Sequence, residues 1–164
     1  MLLVLLAWLG TATAGCAAVV EQREVRGESL KGLVEAGTTL QIETARGCIE
    51  PKRGDLVTWR PAKRDTPVVK VVRAVPGDTL ALLEEEGIFY IHVNDERLTT
   101  STGEPYALKP NRARMLQLYE GELRADTFLL LGNIAGGTYD STRLGLIHKS
   151  DIEGRVISGV DARP

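Results

Sequence analysis

Apolar positions are spread unevenly along the chain. Residues 1–20, MLLVLLAWLGTATAGCAAVV, carry no charged side chain. Twenty residues at helical rise span about 30 Å, the hydrocarbon thickness of a bilayer. The pattern predicts an N-terminal transmembrane anchor over 1–20. Two other readings fit the same stretch. One is a signal sequence cut after Ala14, although the basic segment that normally leads such a sequence is missing. The other is a lipid-modified Cys16 after Gly15, although Thr13 stands where an aliphatic residue is usual. Residues 21–28, EQREVRGE, are polar and predict a linker; their mixed charges give no orientation.

Beyond residue 28 the apolar period is close to two, the period of strands. TTLQIET (38–44), DLVTWR (55–60) and PVVKVVRAV (67–75) predict strands, the last ended by Pro76-Gly77. TLALL, the charged tip EEEG and IFYIHV predict a hairpin, and Asn94-Asp95 offers a tight turn into ERLTT. Residues 101–114 predict a loop, and ADTFLLLGN and GRVISGV predict two further strands. No later segment has a long 3.6-residue apolar period, and no internal repeat is visible. The expectation is a mostly β domain over 29–160 on a membrane tether.

Composition narrows the chemistry. The chain has 164 residues, 43% of them hydrophobic, and a formal charge of −2, which supplies a core but no basic footprint for nucleic acid. Its two cysteines, Cys16 and Cys48, show no C-x-x-C spacing and no histidine cluster, so neither a metal site nor a disulfide framework is expected. No cofactor motif is present. His92 in IFYIHV and His148 in LIHKS read as packed side chains rather than catalysts, and Glu84, Glu85 and Glu86 as a solvated hairpin tip.

Lys70 breaks the valine run. Strand alternation places it with Val68, Val72 and Ala74, and sets Arg73 on the other face with Val69 and Val71. An ammonium group among aliphatic side chains loses hydration, which lowers its pKa and prepares it to take a proton. The plainer reading is an edge-strand lysine that deters aggregation. Ser29, in GESLKGLVEAG, is the candidate partner; its plainer reading is a cap at a helix or turn start.

At this point the chain resembles the signal peptidase I family. SLKGLVEAGTTLQI (29–42) aligns without a gap with S-M-x-P-T-L-x-x-G-D-x-V-x-V. Residues 52–57, KRGDLV, match R-G-D-I-V, and 69–78, VKVVRAVPGD, match the lysine box with Lys70 six positions before Pro76. Val93-Asn94 and Leu98 resemble the next hairpin, and LLLGNIAGGTYDSTRLG (129–145) resembles G-D-N…S-x-D-S-R-x-x-G. The resemblance implies a signal-peptidase-like coiled β-sheet or barrel domain behind one transmembrane helix. It implies Ser29 as nucleophile, Lys70 as general base, Ser141 as the residue that orients the lysine, and the Ser29 backbone N–H as part of the oxyanion hole. Gly27, two residues before the nucleophile, stands where some members place a second hydroxyl donor. Several positions depart from the pattern. Leu30 replaces methionine, Gly32 proline, Thr38 and Asn133 aspartates, and Thr138 the first serine of the last box. Thr142 falls on that box's arginine, with Arg143 one place later, so a scaffold pair between Asp140 and an arginine depends on Arg143 reaching back.

The function this implies is a membrane-bound serine endopeptidase. It would remove hydrophobic signal segments from translocated precursors after small residues, with residues 1–20 in lipid and the catalytic domain on the outer face of the cytoplasmic membrane. Peptidases of the conjugative-transfer TraF type, which process pilin precursors, offer a second substrate class. A tethered peptide-binding domain without catalysis is an alternative of another kind. A Ser–Lys self-cleaving repressor would need a DNA-binding helical domain, and no part of the chain supplies one.

Overall fold

The computed structural model describes residues 17–45 and 47–159. The predicted anchor over 1–20 falls almost wholly outside them. No helix among the described residues is long and apolar enough to cross a membrane.

The β-branched runs form strands where they were expected: β2 (Thr39–Thr44), β3 (Leu56–Trp59), β4 (Val68–Ala74) and β10 (Thr127–Leu131). The first strand was not expected. β1 (Val19–Glu24) covers the end of the predicted anchor and the start of the predicted linker, and pairs antiparallel with β2 from Val19↔Thr44 to Glu24↔Thr39. It lies at the sheet edge with Val19 and Val20 exposed, so no buried face imposes an apolar alternation on it.

β12 (Ile152–Ser158), from the far end of the chain, inserts between β2 and β3. With β11 (Ile147–His148) it completes a seven-stranded sheet in the order β1-β2-β12-β3-β4-β10-β11. The second sheet is built around the hairpin of β5 (Thr79–Glu85) and β6 (Ile88–Val93), closed by Glu86 and Gly87, both at positive φ. β7 (Glu96–Arg97) follows the turn at Asn94 and Asp95, also at positive φ, and β8 (Ala107–Leu108) and β9 (Gly121–Glu122) complete this sheet.

The region 101–114 is only partly loop. Helix α1 (Pro110–Gln117) begins on a proline, whose missing N–H costs nothing at a helix start. Only Ala113 and Leu116 of α1 are buried, too few to mark a helical period in the sequence. A one-turn helix, α2 (Ser141–Leu144), follows β10.

Three apolar clusters fill the interior, and β4 reaches all of them. Ala74 packs with Leu80, Ile91, Tyr106 and Leu129 beside the second sheet. Val68 and Val72 pack with Trp59, Phe128 and Ile152. Val69 and Val71 pack with Leu30, Leu40 and Leu56. β4 is therefore covered on both faces, and Lys70 at its centre is 3% exposed. The edge-strand explanation of that lysine does not apply.

Cys48 is disulfide-bonded. This corrects the expectation from spacing, which detects metal and redox motifs but gives no sign of an isolated disulfide. Cys16, the other cysteine of the chain, lies outside the described residues.

Candidate active site

Ser29 sits in a tight turn after β1 rather than on a helix. Gly27 enters the turn at φ +83°, a conformation that favours glycine. Lys31 N–H then donates to Glu28 C=O, and Val34 N–H to Leu30 C=O. Leu30 and Val34 are buried and fasten the turn to the third cluster with Leu40, Ile42 and Val71. The hydroxyl beside them is left at the wall of a cleft of about 680 Å³, which Lys70 also lines.

Across 41 positions of sequence, Lys70 Nζ lies 2.8 Å from Ser29 Oγ, within hydrogen-bonding contact. Burial lowers the Lys70 pKa from 10.5 to about 8; the charge of Asp140 opposes the shift and that of Arg64 adds to it. A base in this range is partly neutral near physiological pH and can accept the proton of a hydroxyl it touches.

The residues expected around this pair take several different positions. Asp140 is fully buried and caps α2. One carboxyl oxygen accepts from the N–H groups of Gly132 (2.9 Å) and Thr138 (3.1 Å) and from Thr138 Oγ1 (2.5 Å). The other accepts from Thr142 N–H (2.9 Å) and Thr142 Oγ1 (2.7 Å). The Arg143 side chain is exposed and makes no ion pair with Asp140 among the described residues. The expected scaffold pair is thus replaced by a cage of hydroxyl and amide donors, because the residue that turns inward from α2 is Thr142. Ser141 is fully buried, and its Oγ accepts from Leu130 N–H at 3.0 Å rather than meeting Lys70.

Asn133 is better connected than its type suggested. Its backbone N–H donates to Ser29 C=O at 2.7 Å, and its Nδ2 donates to Lys31 C=O at 2.8 Å and to Ser101 Oγ at 2.6 Å. Its Oδ1 accepts from Ser101 N–H at 2.8 Å. A carboxylate could accept but not donate, so the bond to Lys31 C=O needs the amide. The neighbouring Gly132 allows this approach: a Cβ there would come within 2.6 Å of both Ser29 C=O and Thr138 Oγ1. Tyr106 Oη closes the far side by donating to Gly132 C=O at 2.5 Å. Ser101 and Tyr106 carried no sequence signal, since each lies in a segment remote from the motifs.

The histidines lie elsewhere. His92 is buried in the second sheet, with Nδ1 at 3.5 Å from Asp95 C=O and no partner for Nε2, and His148 is exposed on β11. Among the described residues no group of His, Cys, Asp and Glu could hold a metal ion.

The family model described as "Signal peptidase, peptidase S26" matches residues 1–160. No curated protein sequence matches the chain. Among solved structures, a signal peptidase I from Enterococcus faecalis V583 is similar at a TM-score of 0.46 and 17% identity, over 67% of this chain and 98% of that one. The match along nearly the whole sequence places the chain in the signal peptidase family, peptidase S26.

Proposed function

We propose that the chain is a membrane-tethered endopeptidase in which Ser29 attacks the scissile carbonyl and Lys70 acts as general base. The observation that carries this reading is the 2.8 Å contact between a buried lysine and a serine hydroxyl on the wall of an open cleft. In the first step neutral Lys70 takes the proton of Ser29 as Oγ bonds to the carbonyl carbon. The resulting ammonium then gives that proton to the leaving amine, and an acyl-enzyme remains. Water, activated by the same amine, attacks the ester and restores Ser29. The Ser29 N–H makes no hydrogen bond among the described residues and is available to the developing oxyanion. Gly27 adds no side-chain donor. Ser141, Asp140 and Asn133 act indirectly, by holding the turn and the loop after β10.

The substrates on this reading are precursor proteins with a hydrophobic signal segment, cut after small residues. The uncharged residues that precede β1 would hold the enzyme in the cytoplasmic membrane. β1 starts at Val19 and leads directly into the turn that carries Ser29, so a membrane segment before β1 would keep the hydroxyl near the lipid surface. A disulfide at Cys48 suits an oxidising, extracytoplasmic compartment. Pilin precursors of conjugative transfer form the second substrate class.

The test is to incubate the detergent-solubilised protein, and its Ser29→Ala variant, with a secretory precursor and with a pilin precursor, and to map any cut by mass spectrometry. Cleavage after a small residue by the wild type alone supports the proposal, and the precursor that is cut selects the branch. Binding of either precursor without cleavage by the wild type would favour the tethered peptide-binding domain.

A further inference from the structure

The cleft that holds Ser29 and Lys70 is bordered by four arginines, Arg23, Arg26, Arg60 and Arg64. Two of them are already engaged: Arg23 pairs with Glu21 at 2.6 Å, and Arg60 Nε with Glu153 at 2.9 Å. Arg64 differs from both. Its guanidinium carbon stands 4.6 Å from the centroid of the Tyr139 ring. Its side chain has no hydrogen bond and no ion pair among the described residues. Stacking on a ring fixes the guanidinium plane but consumes none of its five N–H donors, which point outward along its edge. Among the described residues Arg26 is also unpaired, but no ring holds it.

The ring under Arg64 is itself well placed. Tyr139 directly precedes Asp140, whose five hydrogen bonds fix the loop that also carries Asn133. Arg64 is therefore indexed to the same loop that holds the Ser29 turn. It also lies near enough to Lys70 for its charge to act on that amine. An oriented guanidinium with free donors, at the rim of a peptide-sized cleft, is suited to a planar carboxylate.

We propose that Arg64, braced on Tyr139, is a specificity-determining residue that binds an aspartate or glutamate side chain of the substrate peptide near the scissile bond. The proposal rests on the peptidase reading for the identity of the ligand as a peptide. Glu24 and Asp65 border the same cleft without ion pairs among the described residues. They would repel a second acid, so the preference is for one acidic residue at one position rather than for acidic peptides in general.

The experiment separates this idea from the chemistry. Fluorescein-labelled peptides with small residues at the cut, and one aspartate moved stepwise through the flanking positions, are titrated against the full-length Ser29→Ala protein in detergent. Each is compared with its asparagine counterpart. One position should favour aspartate by about five- to tenfold in Kd. Arg64→Gln and Tyr139→Leu should bring that ratio close to one, Arg64→Lys should keep part of it, and Arg64→Glu should reverse it. Equal binding of aspartate and asparagine peptides at every position would overturn the proposal, as would a ratio unmoved by Arg64→Gln. Cleavage of the same peptides by the wild type is read separately. Because Arg64 also acts on Lys70, the aspartate-to-asparagine ratio at one pH, not the absolute rate, is compared between variants. Absence of any cleavage would count against the peptidase reading, while the binding ratio would still decide the role of Arg64.

Discussion

Burying Lys70 costs stability, and the size of that cost follows from its pKa. The amine titrates near 8 in the folded chain and near 10.5 when unfolded. Between those values the unfolded chain holds a proton that the folded chain has lost, so stability rises with pH across this window. Below about pH 8 both states are protonated, and the folded state carries the full penalty of a buried ammonium. Lys70→Met, close in length and without charge, should therefore stabilise the protein by about 1–3 kcal/mol at pH 7. The same variant should lose all precursor cleavage. Urea denaturation at pH 7 and at pH 10 checks both the sign and the window: the advantage of the variant should shrink at the higher pH. A destabilised Lys70→Met protein would mean that the ammonium is better solvated or paired than its 3% exposure indicates.

At the scale of elements, the pair depends on the junction between the Ser29 turn and the loop after β10. Gly132→Ala should be costly because its Cβ would come within 2.6 Å of Ser29 C=O, backbone that cannot swing aside as a side chain can. We expect a loss of about 1–3 kcal/mol in stability and a fall in kcat of about tenfold to a hundredfold from the displaced hydroxyl, read by thermal unfolding and by single-turnover cleavage. Asn133→Asp tests the other half of the junction. It removes the donors to Lys31 C=O and Ser101 Oγ while leaving the backbone bond to Ser29. Its effect should fall on kcat more than on KM, because the cleft wall that receives the peptide is unchanged.

The same elements show what the sequence could and could not disclose. β3, β4 and β10 were legible because a doubly covered strand needs an unbroken β-branched or aliphatic run, and Pro76-Gly77 marks where β4 stops. β1 was not, because an exposed edge strand has the composition of a linker. α1 was missed because two buried residues in eight leave no period to detect. Lys70 and Ser29 could be read from ordered motifs, since the spacing of each to its neighbouring glycine or proline reflects a fixed turn. The Asp140 cage could not be read. Comparing residue types suggested an unmade ion pair, whereas the structure meets the same carboxyl with Thr138 and Thr142, which only a folded loop brings together. Asn133 looked like the loss of an acid for the same reason.

For the whole molecule, the notable feature is that the site is assembled from widely separated segments within the described domain. The turn at 27–34, strand β4 and the loop 132–140 meet through cores that the domain supplies itself. β1 is held by six register positions along β2, so anchorage of Ser29 begins at Val19. A chain that starts at Ala17 should thus fold and cleave a short soluble peptide, while losing co-sedimentation with lipid vesicles. Vesicle binding undiminished by the truncation would place the membrane contact on the β domain. Loss of peptide cleavage by a folded truncated protein would show that residues before Ala17 contribute to the site.

Lys70 as the base for Ser29 is tested by the pH dependence of kcat/KM for cleavage of one precursor, from about pH 6 to 10, with the Ser29→Ala protein as the blank. Through the acidic limb the rate should rise with one ionisation near 8, the value that burial gives Lys70. A rate that is level from pH 6 upward, or one that persists in Ser29→Ala, would contradict the assignment of an uncharged Lys70 as the base for Ser29.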